Sequence, residues 1–236
     1  MKITDELDII ILNCNGAGYL EKCIESIKEN TEQPYNIIVV DQNSKDGSRE
    51  WLISEKMSHI ILNNKNNGIA YSRNLGIRAG RCDWFALISI DVEIEDKFWL
   101  DKMWNYTIDS RIGFVEGMVW NDNDKKNEFA KMNFCLIRKQ CFNEVGYFDK
   151  RYFTGGDDDW LVRLENSWWK NAFCLDTKIN YHCGDSILSV YDADKWGIFQ
   201  RNSDDTITSQ YTESFLNRTL FRNEDRRRVI EESFVD

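Results

Sequence analysis

WFALISIDVEI, residues 84–94, decides the fold. Its first six residues, Trp84 to Ser89, carry no charge, and five of them are apolar. Such a run predicts a strand buried on both faces, central in a sheet covered by helices. The run stops at Ser89-Ile90-Asp91, which sets a carboxylate just past the strand's C-terminal end. In open α/β sheets ligands bind along that edge. A carboxylate there costs desolvation energy unless a cation neutralises it, and a divalent metal is a suitable one. The competing reading makes Asp91 an ordinary turn residue before a helix that starts near Lys97.

Upstream, DIIILNCNG (8–16) and IIVVD (37–41) are further apolar runs that close on polar residues. HIIL (59–62) is a third, shorter one. Between them YLEKCIESI carries Leu20, Cys23, Ile24 and Ile27 on one helical face, and NNGIAYSRNLGIRAG (66–80) is a glycine-opened helix. Strand and helix alternating at this spacing predict βαβ units and a mostly parallel, doubly wound sheet. Downstream, DKFWLDKMWNYTI (96–108) predicts an amphipathic helix, and IGFVEGMVW (112–120) and MNFCLIR (132–138) predict strands joined by a polar loop. A short helix, an acidic glycine turn, a helix through Trp168 and one strand over 172–181 follow. From residue 187 the chain reads as a helical extension packed on the same domain.

The 236 residues carry a net charge of −10, which disfavours a nucleic-acid partner. No apolar run approaches membrane-spanning length, and MKITDELD lacks the order of a signal peptide. Seven cysteines without a CxxC pair read as reduced thiols, so a cytoplasmic setting is expected. GxGxxG, GxxxxGK[ST] and GxSxG are all absent, which removes support for a dinucleotide fold, a P-loop enzyme and a nucleophile elbow.

Four clusters can carry chemistry. Asp41 ends the second strand, where a carboxylate can accept a hydrogen bond from a base N–H or a ribose hydroxyl; Ser44, Asp46 and Gly47 follow in a loop that also suits helix capping. Arg73 and Asn74 share a helical face with Ala70 and Ile77. Arg73 can therefore pair with Asp41 or bind an anionic or planar ligand group. In GGDDDWLVRL (155–164) three successive carboxylates open a helix, more than capping requires. Their mutual repulsion can raise one pKa and provide a general base. His182 follows a strand, and beside Asp91 it is a candidate ligand for a metal such as manganese.

In this order the stretches resemble the family 2 glycosyltransferases of GT-A fold, over residues 8 to about 197. IIILNCNG with YLEKCIESI is similar to that family's opening strand, turn and helix. VVDQNSKDGS resembles its VDNGSxDGS, and NNGIAYSRNLG its NxGxAxxRNxG. ALISIDVEI stands where the family has its DxD motif, and VGYFDKRYFTGGDDDWLVRL resembles VGGFDExFxxxEDxDLxxR. INYHCGDS and YDADKWG are similar to the HxxxS and KWG endings. GGDDD also resembles the GGEDDD turn of β-galactosyltransferases, which share the fold.

The resemblance implies an α/β, GT-A (Rossmann-like, nucleotide-diphospho-sugar transferase) fold with a nucleotide-binding half over about 1–92 and an acceptor-binding half over about 93–186. It implies donor contacts from Asn13, Asn15, Asp41, Asn43, Ser44, Asn67, Gly68, Arg73, Ser89 and Ile90, with Asp41 facing a uracil-type base. Asp91 and His182 would hold Mn2+ or Mg2+ against the donor pyrophosphate. Aligning EDxDLxxR on Arg163 makes Asp157 the base, whereas counting from Phe148 makes it Asp158; the uninterrupted helix register favours Asp157. Trp120, Gly156, Asp159 and Trp160 would face a carbohydrate or other hydroxyl-bearing acceptor, and Trp168 and Trp169 are further candidates for sugar stacking. The expected reaction is inverting transfer from a UDP-sugar. Ser89 replaces the first DxD carboxylate, Cys14 the aromatic residue before Asn15, and Gly156 the glutamate before the base. Ser89 and Cys14 motivate the alternative of a nucleotide-sugar-binding protein of the same fold without turnover. A sugar nucleotidyltransferase would need a glycine-rich, basic N-terminal loop that the chain lacks.

Overall fold

The computed structural model describes residues 6–57, 59–121, 126–129, 131–153 and 156–182. The expected extension from 187 lies outside them, as does the serine of the HxxxS ending. Among the described residues ten strands form one sheet in the order β3-β2-β1-β4-β8-β6-β10-β5, with β7 and β9 also paired to β6. In chain order these are β1 (Leu7–Asn13), β2 (Tyr35–Asp41), β3 (His59–Leu62), β4 (Trp84–Ile88), β5 (Val92–Ile94), β6 (Ile112–Asn121), β7 (Lys126–Phe129), β8 (Phe134–Arg138), β9 (Lys170–Cys174) and β10 (Ile179–Tyr181). The helices are α1 (Ala17–Asn30), α2 (Ser48–Ser54), α3 (Ile69–Ala79), α4 (Trp99–Asn105), α5 (Gln140–Val145) and α6 (Gly156–Glu165).

β4 is central and buried along its whole length, parallel to β1 on one side and antiparallel to β8 on the other. Its residues alternate between two cores, as a two-sided strand must. Trp84, Ala86 and Ile88 pack with Leu20, Ile24 and Ile27 of α1, while Phe85 and Leu87 pack with Ala70, Ile77 and Trp160. Strands β3-β2-β1-β4 are parallel.

This parallel run is the expected one, and beyond β4 the sheet is mixed. β8 runs antiparallel to both β4 and β6, so β6 regains the direction of β4, and β9 and β10 then pair parallel to it. The loop expected after β6 contains β7, folded back as a hairpin. The single strand expected over 172–181 is two, β9 against Ile112–Gly117 and β10 against Trp120 and Asn121. The helix expected to reach Ile108 does so, α4 continuing as a 3-10 turn over Tyr106–Ile108, whereas the one expected through Trp168 ends at Glu165.

Candidate functional site

The C-terminal edges of β1, β2 and β4 carry the predicted donor residues. Asn13 and Asp41 face each other in the β1–β2 register, and the Asn13 side-chain amide donates to Asp41 Oδ1 at 2.8 Å. The same amide lies 3.0 Å from Ser44 Oγ and 2.9 Å from Ser48 Oγ. The backbone amides of Asn43 and Ser44 donate to Asp41 Oδ2 at 3.1 and 3.3 Å, and Arg49 Nε pairs with that oxygen at 2.8 Å. Asn15 and Asn43 occupy the left-handed region at φ 53° and 63°, which asparagine tolerates better than most residues. Asn15 binds across to the second loop, its N–H donating to Ser44 Oγ and its Oδ1 accepting from Lys45 N.

Asn13, Asn15, Asp41, Asn43 and Ser44 are thus brought into one hydrogen-bonded network. Asp41, however, is 0 % exposed and its carboxylate is turned into the loop. The expectation that it faces a base is corrected on that ground: its oxygens are engaged by Asn13, two backbone amides and Arg49. Arg49 was not singled out, because on sequence it reads as an exposed residue in the first turn of α2.

Asp91 sits in the turn between β4 and β5. Ser89 N donates to Asn133 O at 2.8 Å, Val92 N to Ser89 O at 3.1 Å, and His182 N to the Asp91 carbonyl at 2.8 Å. Burial pushes the Asp91 carboxyl above the usual range, only partly opposed by the Ser89 hydroxyl, its own backbone amide and nearby His182. Its Oδ1 is buried without a hydrogen-bond partner among the described residues. His182 Nε2 lies 2.8 Å from Glu93 Oε2. Sequence reasoning missed Glu93, although its two-residue offset from Asp91 along a strand was the available signal. The Ile90 side chain is buried and packs over Gly16, where an added Cβ would lie 2.2 Å from Ile90 Cδ1.

A third segment faces these two. Arg73 forms an ion pair with Asp157, and its Nη2 donates to the Met132 carbonyl at 3.3 Å. The expected pairing with Asp41 is not formed; Asp157, which the spacing did not suggest, takes its place. Residue 133, next along, is the residue whose carbonyl receives Ser89 N, so the turn carrying Asp91 and Arg73, the ion-pair partner of Asp157, bind neighbouring carbonyls. Gly68 opens α3 at φ 87°, and Asn67 is half-buried beside it with its amide 3.3 Å from Lys65 O.

The three carboxylates of α6 have different surroundings. Asp157 pairs with Arg73, Asp159 with Arg163 at 2.9 Å, and Asp158 has no side-chain partner among the described residues. Gly156 is buried against Ala70 and Tyr152. Trp160 is corrected from acceptor contact to core: it is fully buried, stacked on Phe142 at 4.6 Å, with Nε1 donating to Gly146 O. Trp169 is likewise buried, with Nε1 donating to Glu144 at 2.7 Å. Trp120, at 37 % exposed, and Trp168 keep faces open.

The sequence profile of glycosyl transferase family 2 matches residues 8–165. The chain is 22% identical over 199 residues to glycosyltransferase AglE of Haloferax volcanii, covering 72% of this chain and 64% of that one. It is 20% identical over 189 residues to glycosyltransferase GlyG of Streptococcus pneumoniae serotype 4, covering 64% and 62%. It therefore spans less than two thirds of the length of these curated relatives. In fold it is similar to the mannosyltransferase PcManGT of Pyrobaculum calidifontis, solved in complex with GDP-Man and Mn2+. That match has a TM-score of 0.62 at 14% identity and covers 78% of this chain and 58% of the other. The mixed α/β architecture is thus that of the GT-A enzymes.

Proposed function

The chain belongs to glycosyl transferase family 2, and from that premise we propose that it moves a sugar from a nucleoside diphosphate donor to an acceptor hydroxyl with inversion at the anomeric carbon. The observation that supports this reading is that the Asp91 turn and Arg73, the ion-pair partner of Asp157, bind the neighbouring carbonyls of residues 133 and 132.

A divalent cation, Mn2+ or Mg2+, fits Asp91: a buried carboxylate with an unpartnered oxygen is a site that a cation relieves. Among the described residues no three ligating side chains converge, so Asp91 and His182 would hold it together with the donor's own phosphate oxygens. Bound there, it would supply positive charge that makes the diphosphate a better leaving group.

The chain's own residues do the rest. The Asn13–Asn15–Ser44 network shapes the loop that receives the nucleoside, UDP being the first candidate, with Asn67 and Gly68 at its margin. Asp157 accepts the proton of the acceptor hydroxyl as its oxygen bonds to the sugar C1. The bond from C1 to the phosphate oxygen breaks on the opposite face, and the nucleoside diphosphate leaves with that electron pair. Exposed Trp120 offers an apolar face to the acceptor.

A panel of UDP- and GDP-sugars with and without Mn2+, read as nucleotide release, transfer and product anomeric configuration, tests the proposal. Retention of configuration would sink the single displacement. Binding of a nucleotide sugar without release under any condition would favour the non-catalytic reading that Ser89 motivates.

A further inference from the structure

α3 reaches across to the segment that carries the acidic helix at three successive points. The Ile69 amide donates to the Phe153 carbonyl at 2.8 Å. Asn74 closes on both sides of one residue, its Nδ2 donating to the Phe148 carbonyl at 2.8 Å and its Oδ1 accepting from the Phe148 amide at 3.1 Å. Between these ties Arg73 meets the Asp157 side chain itself. The pair is asymmetric in burial: the side chain of Arg73 is 7 % exposed and that of Asp157 21 %.

The cation lies inside, over the Phe148 ring at 5.5 Å and beside the Met132 carbonyl. To reach a donor phosphate or base it would have to leave three partners. The carboxylate lies outward, with Oδ1 on Arg73 and Oδ2 without a hydrogen bond among the described residues. A carboxylate held by one oxygen, with the other turned away from its holder, has a fixed direction of approach for a proton. Misplacement of a reacting group by about 1 Å can cost about 10²-fold in rate.

We propose that Arg73 is a positioning residue for Asp157 and not a donor contact, and that α3 is the strut that sets the base against the donor edge. This rests on the reading of Asp157 as the base. Arg73 then acts on turnover through Asp157 and leaves nucleotide affinity alone.

The test compares Arg73→Met, Arg73→Lys, Asp157→Asn and the double variant Arg73→Met/Asp157→Asn. Turnover is measured for each, and binding of UDP and of GDP with Mn2+ by calorimetry, after melting curves show each variant folded. Arg73→Met is expected to keep nucleotide Kd within about twofold and to lose about 10–100-fold in kcat. Arg73→Lys should regain part of that loss, and the double variant should be no slower than Asp157→Asn, since two residues acting as one unit do not add. A tenfold weaker nucleotide Kd at unchanged kcat, or losses that multiply in the double variant, would overturn the inference. Should Arg73→Met not fold, Arg73→Lys carries the same split between Kd and kcat. Asp157→Asn with full turnover would instead remove the reading of Asp157 on which the inference depends. A slow Asp157→Asn beside a fast Arg73→Met would remove the positioning role alone.

Discussion

The backbone amide of His182 donates to the carbonyl of Asp91 at 2.8 Å, so the end of β10 is fastened to the turn that follows β4. β10 pairs with β5 antiparallel, Tyr181 opposite Val92, and this pairing brings together two residues far apart in sequence. The histidine side chain is held in turn by Glu93. A polar edge built this way is rigid before any ligand arrives, which lowers the ordering cost of binding.

The first prediction concerns charge at that edge. Burial raises the Asp91 carboxyl above its unfolded value. A raised acid stabilises the fold below its unfolded pKa, and that contribution is lost as pH rises through the folded pKa. At neutral pH the ionised group therefore destabilises the metal-free protein. Asp91→Asn should melt higher than wild type at pH 7–8 without metal, and the difference should shrink at pH 4. Mn2+ should raise the wild-type melting temperature and leave that of Asp91→Asn unmoved. A metal-free variant that melts lower than wild type at neutral pH would contradict this.

Asp41→Ala should damage the fold as well as nucleotide affinity. The carboxylate is fully buried and engaged by Asn13, two loop amides and Arg49, so its loss leaves several donors unmatched. A cost of about 2–4 kcal/mol in urea unfolding is expected. Asp41→Asn should cost less, since one oxygen and the shape remain. A stability loss below about 0.5 kcal/mol would mean that the network is ornamental.

What the sequence showed and what it hid divide along physical lines. β4 was legible because a strand buried on both faces must be apolar throughout, and Asp91 because a carboxylate ending such a run is anomalous. The α1 face and the turn residues followed from periodicity. β7 was hidden because its residues, KNEF, are mostly polar and its hairpin to β6 is a tertiary matter. The break between β9 and β10 is marked by Asp176 and Thr177, of which Thr177 donates to Met118 O rather than continuing a ladder. Side-chain partners were the least legible: nothing in the spacing ties Arg73 to a residue 84 positions away. Trp160 was misjudged because a helix opening with three carboxylates looks solvent-facing, although its next residue turns into the core.

Gly68 offers a test of the close approach between α3 and the segment before α6. It stands at φ 87°, and a Cβ there would lie 2.7 Å from the Phe153 carbonyl oxygen. Both the strained backbone and the contact with another main chain oppose a side chain, so Gly68→Ala should destabilise by roughly 1–3 kcal/mol. Gly18, with nothing within 4 Å, is the control, and Gly18→Ala in α1 should be neutral or stabilising by about 0.5–1 kcal/mol. Equal effects at both sites would show that the approach is looser than described.

The three consecutive carboxylates of α6 should separate by role. Asp159 binds Arg163 one turn on, and Arg163 also donates to the carbonyls of Val145 and Tyr147, so this pair fastens α6 to the end of α5. Asp159→Asn should therefore cost stability, about 0.5–1 kcal/mol for a partly exposed pair, with turnover kept within a few-fold. Asp158 has no side-chain partner among the described residues and sits in the first turn of the helix, where a negative charge favours the dipole. Asp158→Asn should cost about 0.3–1 kcal/mol at low salt and little activity. Asp157→Asn keeps size and the contact to Arg73 but cannot accept the acceptor's proton, so turnover should fall by about 10²–10⁴ with nucleotide binding retained. The order of losses decides the register: a collapse confined to Asp158→Asn would make the unpartnered carboxylate the base and leave Asp157 as the anchor of Arg73.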